Sequence, residues 1–232
     1  MLFTPTIGTE LSGRLGGIVA SHNAGGAYFR AATIPTNPNT PQQQVVRNAV
    51  SSLTNAWVET LTVGQRLAWE VYADNVKVTN RIGAQINISG LAMYVRSNVV
   101  RVQAGIGSVN DGPTVFDLGS HRAPTLSNFS AATQLGDVGF FTSGLTDLWA
   151  NEVGGFMFVF LSRPQNQTIN FFKGPYRQSG GITGDPVPPV PPIAFIVPFP
   201  FAEGNKIFAR FVSLRADGRT STPSFAETIA VA

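Results

Sequence analysis

The sequence predicts an α+β protein in two parts: a β-hairpin with three helices over residues 1–110, then an all-β sandwich over 125–232, joined by a linker at 111–124. Three observations predict it. Apolar residues recur at helical spacing only between Thr40 and Gln103. From Thr125 onward, short apolar runs alternate with turn residues. Between these regions lies AGIGSVNDGPTVFDLGSHRAP, rich in Gly, Pro and Asp and without a helical period.

The first element is a hairpin in residues 11–33. Gly16-Gly17-Ile18-Val19-Ala20 leads up and Ala27-Tyr28-Phe29-Arg30 returns around Asn23-Ala24-Gly25-Gly26. Two Gly-rich strands are marginal alone, so this hairpin needs the helices or another subunit to pack on.

The first helix opens at Thr40, an N-cap followed by Pro41 at the first helical position and Gln43 three residues after the cap. Its apolar face is Val45, Val46, Ala49, Val50, Leu53, Ala56 and Trp57, and it runs to about Glu59. A second start at Thr62, with Gln65 three residues on, carries the stripe Leu67, Ala68, Val71, Tyr72. The short link predicts that these two helices pair antiparallel. VKVTNRIGAQINI reads as a second hairpin, and Ser89-Gly90 caps a third helix from Leu91 to about Gln103. That helix has Leu91, Tyr94, Val95, Asn98, Val99 and Val102 along one side.

The second part divides into strands at 126–132, 138–142, 155–161, 168–172, 193–198, 207–214 and 225–231, a number that suits a β-sandwich. The segment KIFARFVSLRADGRTSTPSFAETIAVA resembles the last hairpin of fibronectin type III and immunoglobulin-like domains, which implies a sandwich of that kind. PVPPVPPIAFIVPFP, at 186–200, reads as an edge strand whose prolines block edge-to-edge pairing, in preference to a polyproline ligand.

Composition narrows the function classes. Charged residues are 12 % of the chain against about 25 % in a typical domain, so much of the surface is uncharged, which suits burial against neighbours. Lys and Arg are spread evenly, eight in residues 1–112 and eight in 113–232, and form no basic stripe of the kind a nucleic-acid binder uses. There is no cysteine, which excludes disulfides and thiolate-ligated metals. The N-terminus has neither a basic n-region nor an apolar h-region, and the longest apolar stretch is proline-broken. The expectation is therefore a protein made in a cytoplasm, with no membrane contact.

No constellation of catalytic residues is evident, and no cofactor is expected. His22 and His121 fall in separate loops with no second histidine at ligand spacing. Ser21-His22 is adjacent in sequence, which supplies neither an orienting acid nor an oxyanion hole. Glu59 and Glu70 read as solvated or paired carboxylates, with Arg66 one turn before Glu70. Gly105-x-Gly107 follows a helix, the wrong context for a dinucleotide loop. The Asn-x-Ser/Thr sequons at Asn87, Asn128 and Asn166 matter only in a secretory pathway.

One longer pattern remains. Gly13, Arg14, Leu15, Gly16, Val19, Ser21, Gly26, Tyr28 and Arg30, followed by Pro35, Asn37, Pro38, Thr40, Gln43 and Arg47, follow G-[RK]-L-G-x-x-V-x-S-x-x-x-x-G-x-Y-x-R and then P-x-N-P-x-T-x-x-Q-x-x-x-R. Over residues 12–103 this resembles a family of poorly characterised bacteriophage and prophage proteins regarded as virion structural components. The resemblance implies no enzymatic activity and a structural role in a virion, without a position in the particle; the expectation adopted is a capsid decoration, neck or tail component. It implies partners that are other virion proteins and copies of the chain. The assembly interface is expected at Leu15, Ile18, Val19, Tyr28, Phe29 and Arg30. The alternative is a receptor- or carbohydrate-binding module, with Trp149, Tyr176 and Phe residues of the sandwich as its platform.

Overall fold

The computed structural model describes residues 12–33, 36–37, 39–80, 82–118, 122–144 and 149–232, apart from the side chain of Gln42. It is a mixed α+β fold in two compact units, residues 1–116 and 117–232.

The N-terminal hairpin is a three-stranded meander. Strands β1 (Gly13–Leu15), β2 (Ile18–Asn23) and β3 (Gly26–Ala31) pair antiparallel in that order. Gly16-Gly17, expected inside a strand, is the turn between β1 and β2, and Gly16 takes φ 57°, a conformation glycine adopts at little cost.

Helix α1 (Pro41–Glu59) starts where its cap predicts, and Thr40 Oγ1 accepts the Gln43 N–H at 3.4 Å. The Arg47 guanidinium donates to Asn37 Oδ1 at 2.8 Å, joining two positions of the phage-like pattern across the start of the helix. At α2 (Val63–Asn75) the capping box closes in both directions: Gln65 N–H to Thr62 Oγ1 at 3.2 Å, and Thr62 N–H to Gln65 Oε1 at 2.9 Å. A two-residue ladder follows, β4 (Val78–Thr79) with β5 (Gln85–Ile86), and then α3 (Gly90–Ala104), N-capped by Ser89.

The helices do not form the expected α1–α2 pair; α3 packs against both, and α1 and α2 make little direct contact. Tyr94 is the reason. Its ring lies 5.6 Å from Trp57 of α1 and 5.5 Å from Trp69 of α2, fully buried between them. The buried face of α2 is also turned from the expected stripe. Trp69, Tyr72 and Ala73 are inside, whereas Leu67 and Val71 are exposed. Trp69 explains the rotation, because its indole is the largest fully buried side chain and its Nε1–H finds a partner in the Asn110 carbonyl at 2.9 Å.

That carbonyl belongs to a segment expected as linker, whose first part is a strap laid on the helices. Asn98 holds Val109 through its N–H (2.6 Å) and carbonyl (3.1 Å), Arg101 Nε donates to the Gly107 carbonyl at 3.2 Å, and Gln65 Nε2 donates to Asp111 Oδ1 at 2.9 Å. Gly112 follows, so close to the backbone of Ala68 and Trp69 that a Cβ there would stand 2.6 Å from the Ala68 carbonyl carbon.

The second unit is a two-sheet sandwich. Strands β6 (Thr125–Ser130), β7 (Leu135–Gly139) and β10 (Ile193–Ile196) form one sheet in the order β10-β7-β6. Strands β8 (Phe156–Leu161), β9 (Arg177–Thr183), β11 (Lys206–Leu214) and β12 (Ser224–Ile229) form the other in the order β12-β11-β8-β9. The first, second and fifth strands of the unit thus share one sheet, and the third, fourth, sixth and seventh share the other. The core between them holds Phe129, Val138, Met157, Val159, Leu161, Phe195 and Phe211. β10 is the edge strand expected in the proline-rich segment, with Phe195 inward and Ile196 outward. The strand expected at 168–172 is a loop instead, and the fourth strand is Arg177–Thr183, where Gly180-Gly181 hid it from the sequence pattern.

Candidate assembly surface

Cross-strand register sorts the six residues expected at an interface. Partners Leu15↔Ile18↔Ala31 and Ala20↔Phe29 share one face of the meander, because directly opposed residues point the same way. Arg14↔Val19↔Arg30 and Ser21↔Tyr28 share the other. Leu15, Ile18 and Phe29 therefore stand together, and Val19, Tyr28 and Arg30 stand together on the opposite side. The sequence suggested one patch; the pleat makes two, one apolar and one mixed with two arginines.

Among the described residues, neither face contributes to either buried apolar cluster. The two clusters of buried apolar residues draw on the helices, the β4–β5 segment and the sandwich, and none of their members comes from β1–β3. Leu15 is 86 % exposed and Ile18 52 %, while Val19, Tyr28 and Phe29 are half-buried. Asn80 Nδ2 donates to the Gly25 carbonyl at 3.4 Å, touching the tip of the second hairpin of the meander to the β4–β5 turn. Arg14 Nε donates to the Gly16 carbonyl at 3.0 Å, which holds the β1–β2 turn.

The residues weighed for chemistry lie apart. His22 is exposed at the end of β2, Glu59 and Glu70 are exposed on α1 and α2, and His121 lies outside the described residues. Among the described residues, no three His, Cys, Asp or Glu side chains gather to hold a metal ion, and no helix is long and apolar enough to cross a membrane. Gly105 and Gly107 are spent on turning the chain into the strap, with φ 75° at each.

The platform residues of the alternative reading part company too. Trp149 is buried in the sandwich core against Phe140, ring centroids 5.4 Å apart, so it offers no face to a ligand. Tyr176 stands on the opposite side of the β8–β9 sheet, beside Phe172 and Phe225. Burial pushes its phenol pKa up, and the charge of Arg210 pulls the other way. Sequence reasoning missed what surrounds it, because Phe171 and Phe172 had been read as strand.

Comparison of the sequence with protein-family models gives no match, and comparison with curated proteins gives none.

Proposed function

We propose that this chain is a structural component of a bacteriophage particle, acting as capsid decoration, neck or tail protein by protein–protein assembly through the β1–β3 meander and catalysing no reaction. The observation that carries the reading is a sheet with Leu15 and Ile18 exposed and no share in either core. Leu15 and Ile18 project from a small sheet, and apolar side chains exposed in that way are stabilised when a partner covers them. The low charge of the chain and the phage-like pattern over residues 12–103 support the same reading.

Light scattering on the purified full-length protein tests it. Across a concentration series the expected result is a discrete oligomer, or co-sedimentation with phage particles that lack it. A monodisperse monomer that binds no particle overturns the reading.

A further inference from the structure

The outer side of the β12-β11-β8-β9 sheet carries a pocket of about 400 Å³ that plays no part in the assembly proposed above. The loop after β8 builds its wall. Phe172 lies flat on Phe208 of β11, with ring centroids 5.6 Å apart and planes at 19°. Tyr176 stands edge-on to Phe172 at 83° and tilts by 47° against Phe225 of β12. The Tyr176 hydroxyl donates to the Phe172 carbonyl at 3.1 Å, which closes the loop on itself and sets both rings. Phe171 and Phe225 remain 77 % and 61 % exposed at the mouth.

Charge around these rings is unbalanced. Lys173 and Glu227 line the pocket, and the Glu227 carboxylate is taken by Lys206 Nζ at 2.8 Å. Arg210 sits opposite Phe225 across the β11–β12 ladder, on the same face, with its guanidinium 4.8 Å from the Phe160 ring centroid. Its Nε is buried and, among the described residues, has no hydrogen-bond partner. With Glu227 neutralised by Lys206, the positive charge left is Lys173 in the lining and Arg210 beside it, whose charge also acts on Tyr176.

These features select a ligand class. A planar base needs parallel rings to slide between, and the parallel pair here, Phe172 and Phe208, is already stacked on itself. The remaining rings are tilted, so they offer π faces to the C–H groups of a puckered ring. A quaternary ammonium would suit an aromatic cage, but it would meet the surplus of positive charge. A carboxylate would be drawn by that surplus. We propose that this pocket binds a carboxylated pyranose, the uronate or sialate residue of an acidic glycan, with its C–H face on Tyr176 and Phe225 and its carboxylate toward Lys173 and Arg210.

Titration calorimetry and saturation-transfer NMR on the full-length protein test this, with trigalacturonate, sialyllactose and neutral lactose as probes. The expected result is binding of one acidic sugar, identifying the uronate or the sialate, with lactose weaker by about tenfold or more. Phe225→Ala should weaken the acidic sugar about tenfold, the weight of one stacking contact, with the thermal midpoint unchanged because the ring is mostly exposed. Phe171→Ala serves as the second variant should the first fail to fold. Absence of binding by both acidic sugars, equal binding of lactose, or full affinity in the correctly folded ring variant overturns the proposal. None of these outcomes bears on the assembly reading, which concerns the other unit.

Discussion

Asn98 grips Val109 from both sides: its Oδ1 accepts the Val109 N–H at 2.6 Å while its Nδ2 donates to the Val109 carbonyl at 3.1 Å. The same Nδ2 donates to the Tyr94 carbonyl at 3.0 Å, so a fully buried amide is satisfied from three directions. One helix residue thereby replaces a strand partner for a segment that has none. Asn98→Ala leaves the Val109 N–H and carbonyl unpaired in the interior and should cost about 2–4 kcal/mol in denaturant titration. Limited proteolysis gives a second readout. The wild-type chain should resist cleavage between residues 105 and 113, and the variant should be cut there. Equal resistance in both would show that the strap is held by its other contacts.

The aromatic trio places the stability centre of the first unit on Tyr94 and Trp69. Tyr94→Ala should cost about 3–5 kcal/mol, since it empties the space between two tryptophans. Val45→Ala, on the half-exposed side of α1, should stay within about 0.5 kcal/mol. Similar losses at both positions in thermal or urea unfolding would mean that α1 buries a different face.

How much of this was legible in the sequence varied with the kind of signal. Caps were legible because their chemistry is local: Thr40, Thr62 and Ser89 each accept the N–H three residues on, as their spacing predicts. The buried face of α2 was not, because Leu67 and Val71 carry the periodicity while the Trp69 indole, matched to the Asn110 carbonyl, decides the packing. Strand β9 was hidden by Gly180-Gly181, which reads as a turn. In the structure Gly181 is where the Phe156 ring lies, occupying the space a Cβ would need, and a Cβ on Gly180 would stand only 3.0 Å from the Phe195 ring. The interface residues were legible as a composition, whereas their division between two faces depends on the Gly16-Gly17 turn that adds the third strand. The pocket at Tyr176 could have been suspected from Phe171-Phe172 beside Lys173, but only the loop conformation shows these side chains facing Phe208 and Phe225.

In the sandwich, Glu152 ties the 3₁₀ turn at Trp149–Asn151 to the end of β11. Its carboxylate takes Arg215 through Nε and a terminal nitrogen, each at 2.7 Å, and the Ala216 N–H at 2.7 Å. Removing the acid takes the carboxylate away from a largely buried guanidinium. Glu152→Ala should therefore cost about 3 kcal/mol, the lower end for a buried pair because the Glu152 side chain is 26 % exposed. Glu152→Gln should recover part of this loss, because its one carbonyl oxygen can still accept from Arg215 Nε and the Ala216 N–H. Melting of Glu152→Gln with the wild type would assign the contact no charge component, and identical melting of the two variants would assign it to charge alone.

The turn beside it is sterically closed. A Cβ on Gly155 or on Gly184 would collide with the Trp149 carbonyl oxygen, a backbone atom that cannot rotate away. Gly155→Ala should destabilise the sandwich by about 1–3 kcal/mol through overpacking, read as a fall in midpoint for the second unit. An unchanged midpoint would show that the 3₁₀ turn shifts to make room.

The last expectation follows from the pleat of the meander and separates its two faces. Assembly through the apolar side would bury Leu15, Ile18 and Phe29, whereas assembly through the other would bury Val19, Tyr28 and the guanidinium groups of Arg14 and Arg30. The two faces carry different costs. Burying two arginines requires carboxylates on the partner, and a chain with 13 Asp and Glu among 232 residues offers few to copies of itself. The apolar face asks only for an apolar neighbour, and covering it offsets the ordering of the arm, about 1–2 kcal/mol for each backbone residue fixed. Ile18→Asp should therefore abolish the oligomer or the particle binding, while Arg30→Glu on the opposite face should leave it intact. Both variants should melt with the parent, because neither residue enters a core. Amide exchange should be fast at residues 12–33 in the dissociated protein and slow in the assembled one. If Arg30→Glu disrupts assembly and Ile18→Asp does not, the contact uses the arginine face and the partner is an acidic surface.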